Sequence, residues 1–152
     1  MQLVKASRDA LLKPLQVVSG IVERRQTLPI LANILVRKDG EKVSFTATDL
    51  EIQIETAADI GAGKDAVATT VSARKLVDIL RALPEADVGL SLSARKLTIQ
   101  SGKSRFNLQT LAAEDFPTVA QADFSADFTL PAATLKYLLN ICLLYTSDAA
   151  DE

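Results

Sequence analysis

The sequence of 152 residues contains no histidine and no tryptophan, and it has one cysteine, Cys142. Without histidine it lacks the commonest general base and zinc ligand of proteins. One cysteine permits no internal disulfide, which fits a reducing compartment. Aromatic residues make up only 5% of the chain, so we do not expect a surface that stacks single-stranded bases.

Segments that would place the chain in a membrane are also missing from the sequence. No hydrophobic run reaches the length needed to span a bilayer. The first residues after the initial methionine, QLVKA, have the pattern of a strand rather than of a signal peptide. We therefore predict a cytoplasmic protein.

Patterns typical of catalysis are equally scarce. Gly61 and Gly63 lie in a loop that no predicted helix follows, so they do not form a phosphate-binding loop. Asp49 and Glu51 could bind a metal ion only with further ligands. We predict a protein that is not an enzyme and that uses no cofactor and no metal. An unrelated α+β enzyme is the alternative, and these absences disfavour it.

The formal net charge of −2 is distributed unevenly. Residues 1–110 hold 16 Lys and Arg against 12 Asp and Glu, a balance of +4, whereas residues 111–152 hold one against seven, a balance of −6. Attraction to a nucleic acid would therefore have to come from a local patch in the first part of the chain. A protein with a solvated acidic tail would show the same asymmetry.

The first predicted helix follows Ser7, a residue type that favours the N-cap position. An apolar stripe with helical spacing runs along it, formed by Leu11, Leu15, Val18 and Val22. Lys13 lies on the polar side, and Arg24 with Arg25 follows the end of the helix. These cations could face a polyanion, although a solvated helix face would carry the same residues.

The second helix is predicted over Ala73–Leu83, with Ser72 as its N-cap and Pro84 as its stop. Its apolar stripe consists of Leu76, Ile79, Leu80 and Leu83. Arg74 and Arg81 lie on the opposite side. If the two helices lie side by side, their cations form one positive surface about as wide as a DNA duplex.

Short alternating segments predict strands around both helices. Asp39-Gly40 indicates a hairpin turn, and Glu51–Ala57 is predicted as a strand with Ile52 and Ile54 facing inward. The order strand, helix, three strands occurs twice, as a repeat of roughly 60 residues visible in SRDALLKPLQVV and SARKLVDILRAL. Two copies predict an α+β domain in which two helices pack on antiparallel sheets. A third copy begins at Thr129 with TLPAATLKYLLN.

Five motifs occur in a fixed order along the chain. They are LLKPLQVVSG with TLPILANIL, TATDLE at Thr46–Glu51, TTVSARKL at Thr69–Leu76, RALPE at Arg81–Glu85 and SGKSRFNLQTLAAEDFP at Ser101–Pro117. Together they resemble the bacterial DNA polymerase III β subunit family, the replicative sliding clamps, from Met1 to about Asn140. The resemblance implies the DNA-clamp fold, with three such domains in each subunit and two subunits in a ring. Helices then line the hole and sheets form the outside.

The resemblance also implies a function and partners. The function would be that of a processivity factor that encircles duplex DNA and tethers the replicative polymerase. The partners would be duplex DNA, a second clamp subunit in a homodimer, DNA polymerase III and the clamp loader. Arg25 and Arg74 match positions where clamps touch DNA, and we add Arg24, Lys13 and Arg81 from their place in the sequence. For these three, an ordinary solvated face is an equal alternative.

The segment KSRFNL carries Phe106 and Leu108 on one side, flanked by the cations Lys103 and Arg105. Exposed strand edges of this kind invite pairing with another strand. In the clamp family this edge pairs with the third domain of the other subunit, and Lys75 supplies a further cation nearby. The alternative is that Phe106 and Leu108 are core residues.

The clamp pattern stops after about Asn140, where the chain continues as ICLLYTSDAADE. We predict residues 1–121 as a first clamp domain, residues 122–140 as the start of a second domain (a strand plus a helix), and residues 141–152 as a tail foreign to the family. The alternative function is that of a monomeric, truncated fragment, which cannot form a ring and only binds or caps an intact clamp subunit.

Overall fold

The computed structural model describes residues 1–22, 28–84, 86–119 and 128–148. The chain divides into two compact units, Met1–Ala120 and Gln121–Glu152. In the second unit the described part is a helix preceded by residues 128–131, which are not in a strand. The strand predicted within 122–140 falls partly on residues 122–127, which lie outside the described residues, so the strand and the limits of the second domain and tail remain predictions.

The described part of the first unit contains eight strands, two helices and two short 3₁₀ turns. The strands are β1 (Gln2–Ser7), β2 (Asn33–Asp39), β3 (Lys42–Thr48), β4 (Gln53–Asp59), β5 (Ala66–Ser72), β6 (Asp87–Ser93), β7 (Lys96–Ser101) and β8 (Ser104–Leu111). The helices are α1 (Arg8–Ser19) and α2 (Ala73–Ala82), and the 3₁₀ turns are Pro29–Ala32 and Ala113–Asp115. Strand, helix and three strands follow each other twice, which confirms the predicted repeat and the α+β class.

All eight strands form one antiparallel sheet in the order β1-β6-β7-β8-β5-β2-β3-β4. The last three strands of each repeat are neighbours, but its first strand pairs with the other repeat, β1 with β6 and β5 with β2. The two halves of the sheet join through Thr70↔Leu111 and Val71↔Thr110, between β5 and β8. The two repeats therefore interlock in a single sheet.

The two ends of the sheet approach each other at Gly61, which forms an isolated bridge with β1. Beside it the amide of Ala62 donates a hydrogen bond to the carbonyl of Leu3 at 3.0 Å. The amide of Gly61 donates one to the carbonyl of Glu41 at 2.7 Å. A β-carbon at Gly61 would overlap the Gly40 carbonyl oxygen and lie 2.9 Å from that of Glu41. Only glycine fits this close backbone approach.

The hairpin predicted at Asp39-Gly40 is confirmed. β2 and β3 pair as far as Asp39, and Gly40 adopts a φ of 60° in the turn. Lys38, just before the turn, is buried, and its Nζ donates to the carbonyls of Gly63 and Asp65 at 3.2 and 2.7 Å. These hydrogen bonds fasten the loop after β4 to β2.

The strand predicted from Glu51 begins instead at Gln53, and Ile52 is exposed rather than inward. The turn after β3 explains the difference, because the Asp49 carboxylate accepts hydrogen bonds from the amides of Glu51 and Ile52 at 2.9 and 2.8 Å. The Ile52 amide, followed by that of Glu51, lowers the pKa of Asp49 from its usual value. Ile54 packs against the core, as predicted.

α1 begins as predicted, since Ser7 Oγ accepts a hydrogen bond from the amide of Ala10 at 3.4 Å. The helix continues through Pro14, whose carbonyl accepts a hydrogen bond from Thr56 Oγ1 of β4 at 3.2 Å. This contact places α1 on the sheet. The predicted apolar stripe is fully buried at Leu11, Leu15 and Val18 and partly buried at Val22.

α2 buries one face in the same core, with Leu76 and Leu80 fully covered. Ile79 of the predicted stripe is only partly buried, and the helix ends at Ala82, one residue before the predicted end. The predicted capping hydrogen bond is wrong, because the Ser72 side chain makes none. Ser72 occupies the N-cap position with a φ of −56° and a ψ of 116°, whereas Ser7, which does cap its helix, has a φ of −63° and a ψ of 149°.

The two helices lie side by side and antiparallel. At the start of α1, the Arg8 guanidinium donates to the carbonyl of Leu83, just past α2, at 2.9 Å. At the other end, Ser19 and Val22 line a cavity together with the first turns of α2. The start of each helix therefore lies near the end of the other.

The second unit contains α3 (Ala132–Asp148), whose side chains are exposed as far as Cys142. Among them, Leu139 is 55% and Ile141 is 43% exposed. Across the described residues, no helix combines the length and the apolar character that crossing a membrane requires.

Candidate nucleic-acid interface

A cavity of about 430 Å³ opens where the end of α1 meets the beginning of α2. Among the described residues that line it, the charged ones all come from α2: Arg74, Lys75, Asp78 and Arg81. We call this site the cationic cavity, because three of these four side chains are positively charged. Antiparallel packing of the two helices creates it, since the end of α1 adds Ser19 and Val22 to the wall.

Arg74 and Arg81 are seven residues apart on α2 and therefore lie on the same side of the helix. At 1.5 Å per residue their backbones are separated by roughly 10 Å along the helix axis. The two guanidinium groups can therefore contact two different phosphates of a nucleic acid. Both residues are exposed, so their charges face solvent rather than the core.

One carboxylate lies among these cations. Asp78 Oδ2 is 3.7 Å from Arg74 Nε, one helical turn away, and the two side chains are 60% and 68% exposed. Arg81 and Lys75 form no ion pair with another described residue. The described wall therefore keeps a net positive charge.

The beginning of α2 also opens into the cationic cavity, through Ser72 and Ala73. Because no side chain caps this end, the amides of the first turn are not neutralised by Ser72. The partial positive charge of a helix N-terminus adds to that of the cations. Sequence analysis missed this contribution, because serine before a helix predicts a cap.

The predicted DNA-contacting residues are placed differently from one another. Arg74 and Arg81 come together in the cationic cavity, whereas Lys13 is exposed on α1 and is not part of the cavity wall. Arg24 and Arg25 lie outside the described residues. Lys75, predicted for the subunit contact, lies on the wall of the cationic cavity.

The remaining predicted contact residues lie on or beside β8. This strand pairs with β7 over Ser104–Gln109, but with β5 only at Thr110 and Leu111. Over Ser104–Gln109, its second edge therefore has no partner among the described strands. Lys103 and Arg105 are exposed along this segment.

The two apolar residues of β8 lie at the margin of the core. Phe106 is opposite the buried Ile99 and is 37% exposed, and Leu108 is opposite Leu97 and packs partly against the core. Both side chains therefore rest on the sheet face that carries the core. Phe106 nevertheless keeps more than a third of its surface available for another molecule.

The described residues contain no group of three or more His, Cys, Asp or Glu side chains that could hold a metal ion. Asp49, one of the two carboxylates considered for such a site, instead accepts two backbone hydrogen bonds in the turn after β3. Its role in this structure is to shape the turn.

Comparison with known proteins gives a consistent result. The family described as DNA polymerase III beta subunit, N-terminal domain, matches residues 1–120. The beta sliding clamp of Pseudomonas aeruginosa is 42% identical over 134 residues, which are 88% of this chain and 36% of that protein. The beta sliding clamp of Escherichia coli K12 is 44% identical over 133 residues, 87% of this chain and 36% of that protein.

Solved structures match in the same way. The crystal structure of the DNA polymerase III subunit beta from Pseudomonas aeruginosa superposes with a TM-score of 0.87 at 40% identity, over 92% of this chain and 38% of that one. The pol III beta structure from Caulobacter crescentus gives a TM-score of 0.73 at 45% identity, over 79% and 32%. The chain thus spans about a third of the length of the relatives it matches.

Proposed function

This chain belongs to the DNA polymerase III beta subunit family, and from that premise we propose that it is the N-terminal portion of a replicative sliding clamp. The whole protein encircles duplex DNA as a ring of two subunits and tethers DNA polymerase III in the cytoplasm. It acts without catalysis and without a cofactor. The clamp loader and the polymerase are partners of the whole protein, of which this chain covers the first domain.

The observation that carries this proposal is the cationic cavity between two antiparallel helices. Its cations are exposed, and Arg74 and Arg81 are spaced to contact separate phosphates. Contacts to phosphates read no base sequence, so they allow a protein to move along a duplex. Arg25, Arg24 and Lys13 complete the proposed DNA-binding set.

Duplex binding by the 152-residue chain tests the proposal, with affinity measured by fluorescence anisotropy from about 50 to 200 mM salt. Arg74→Gln and Arg81→Gln should each reduce the slope of log affinity against log salt by about 0.9, because each removes one phosphate contact. Duplexes of different sequence should bind equally well.

The matched control is Arg37→Gln, which removes the same charge from β2. Its neighbour Val36 packs in the core that the helices cover, so the exposed Arg37 points to the opposite face of the sheet. Equal weakening by Arg37→Gln and Arg74→Gln would mean that binding follows net charge alone. The cationic cavity would then not be the DNA-contacting surface.

We also propose that the open edge of β8 is the subunit contact of the whole protein, formed by Lys103, Arg105, Phe106 and Leu108. Lys75 belongs to the same proposed contact, although its place on the wall of the cationic cavity allows it to meet DNA instead. The alternative function, a fragment that only caps an intact clamp subunit, uses this same edge. Both functions therefore depend on what β8 binds.

A further inference from the structure

The carboxylate of Asp78 is the one negative charge on the described wall of the cationic cavity. It lies 3.7 Å from Arg74 Nε, and both side chains are more than half exposed. An exposed ion pair at this distance contributes little to the stability of a helix. The order of the two residues weakens it further, because an anion C-terminal to its cation opposes the helix dipole.

The pair therefore contributes little to the structure. Because both side chains line the cationic cavity, we look for its role in phosphate binding. A guanidinium binds a phosphate through its N–H groups, and one of the Arg74 nitrogens, Nε, forms an ion pair with Asp78 at 3.7 Å, beyond hydrogen-bond distance. The carboxylate thus competes with any phosphate that enters the cavity. It also repels the phosphate directly, since its charge has the same sign.

We propose that Asp78 is a built-in competitor for the Arg74 guanidinium, which keeps the contact between α2 and duplex phosphates weak. This inference rests on the proposed DNA-binding function and assigns Asp78 a role within the same surface. A contact that is weak at each phosphate exchanges readily between neighbouring phosphates. Asp78 would therefore favour movement along the duplex at the expense of affinity.

Duplex binding by Asp78→Asn tests the competitor role, measured by anisotropy over the same range of salt. The variant should bind about two- to fivefold more tightly at low salt, the range expected for the loss of one exposed ion pair. The matched control is Glu55→Gln, which makes the same change in net charge. Glu55 is exposed on β4 between Ile54 and Thr56, which face α1 and the core, so it lies on the opposite sheet face.

The double variant Arg74→Gln/Asp78→Asn separates competition from simple repulsion. In the Arg74→Gln background, the tightening caused by Asp78→Asn should become smaller, because only the direct repulsion between Asp78 and the phosphate is then relieved. Tightening that persists undiminished would overturn competition for Arg74, because Asp78 would then act on the phosphate alone. Tightening no greater than that of Glu55→Gln in the native background would overturn any specific role of Asp78.

These outcomes are distinct from failure of the proposed function. If Arg74→Gln and Arg81→Gln weaken binding while Asp78→Asn matches Glu55→Gln, only the inference about Asp78 is overturned. If neither arginine substitution alters binding, or if neither the native chain nor Asp78→Asn binds duplex at low salt, the DNA-contacting surface itself is refuted. Thermal melts of each variant confirm that the first unit remains folded.

Discussion

Replacing Phe106 with alanine tests whether this residue belongs to a subunit contact or to the core, because its side chain has features of both. It lies opposite Ile99 on the core face of the sheet, yet 37% of its surface is exposed beside the open edge of β8. Phe45 provides the comparison, since it is completely buried in the same sheet. The two substitutions remove the same atoms from different environments.

The expected magnitudes follow from burial. Phe45→Ala should cost about 3–5 kcal/mol of unfolding free energy, the usual range for a fully buried phenylalanine. Phe106→Ala should cost roughly 2 kcal/mol, because about a third of its side chain never leaves water in the folded chain. That exposed third amounts to roughly 70 Å², so covering it in an interface would contribute about 2 kcal/mol more.

Two measurements check these values. Thermal and denaturant unfolding of the 152-residue chain should place Phe106→Ala between the native chain and Phe45→Ala. Sedimentation of the chain mixed with an intact clamp should show a complex that Phe106→Ala weakens more than Arg105→Ala does. An exposed ion pair such as Arg105 could form is worth at most about 1 kcal/mol.

Two results would refute this reasoning. Equal destabilisation by Phe106→Ala and Phe45→Ala would make Phe106 a core residue. An undiminished complex in a folded Phe106→Ala variant would remove β8 from the interface.

Two further predictions concern the turns of the first unit. Gly61→Ala should destabilise the fold by about 1–3 kcal/mol in a denaturant titration, since the added β-carbon overlaps backbone that cannot move aside. Gly20→Ala is the control. Its β-carbon makes only ordinary contacts at a helix end, so it should be neutral or slightly stabilising. Asp49→Ala should lower the melting temperature at neutral pH and lose this effect as the pH falls below 3.8, because the lowered pKa of Asp49 contributes stability above that value and loses it as the carboxylate is protonated. Asp49→Asn keeps the acceptor oxygen and should show a smaller loss at neutral pH, which also shrinks as the native carboxylate is protonated. A loss from Asp49→Ala that is constant with pH would contradict the role of the charge.

The local elements of this protein were predictable from the sequence, because each one depends on neighbouring residues. The apolar stripe from Leu11 to Val18 defines α1, and Asp39-Gly40 defines the first hairpin. The repeat of one helix and three strands follows from the same local patterns. The cations Arg74 and Arg81 were also identified in this way, since helical spacing alone places them opposite the buried stripe.

Local patterns failed at the cap of α2 and where a turn overrides alternation. Ser72 has the residue type and the position of an N-cap but makes no capping bond, whereas Ser7, also the last paired residue of its strand, does. Ile52 continues an alternating pattern, but the hydrogen bonds of Asp49 turn the chain before β4 begins. At Ile52, hydrogen bonds to the Asp49 side chain determined the backbone conformation.

The sequence by itself determined the kinds of element, their order and the polar face of each helix, since these follow from periodicity over a few residues. Only the tertiary structure decided that β1 pairs with β6 and β5 with β2, so that the repeats interlock instead of forming two separate sheets. It also decided that the end of α1 meets the beginning of α2, so that Ser19 and Val22 complete the cavity beside the α2 cations. The physical reason is that strand pairing and helix packing join residues far apart in the chain, and burial of the whole core selects among pairings that look alike in sequence.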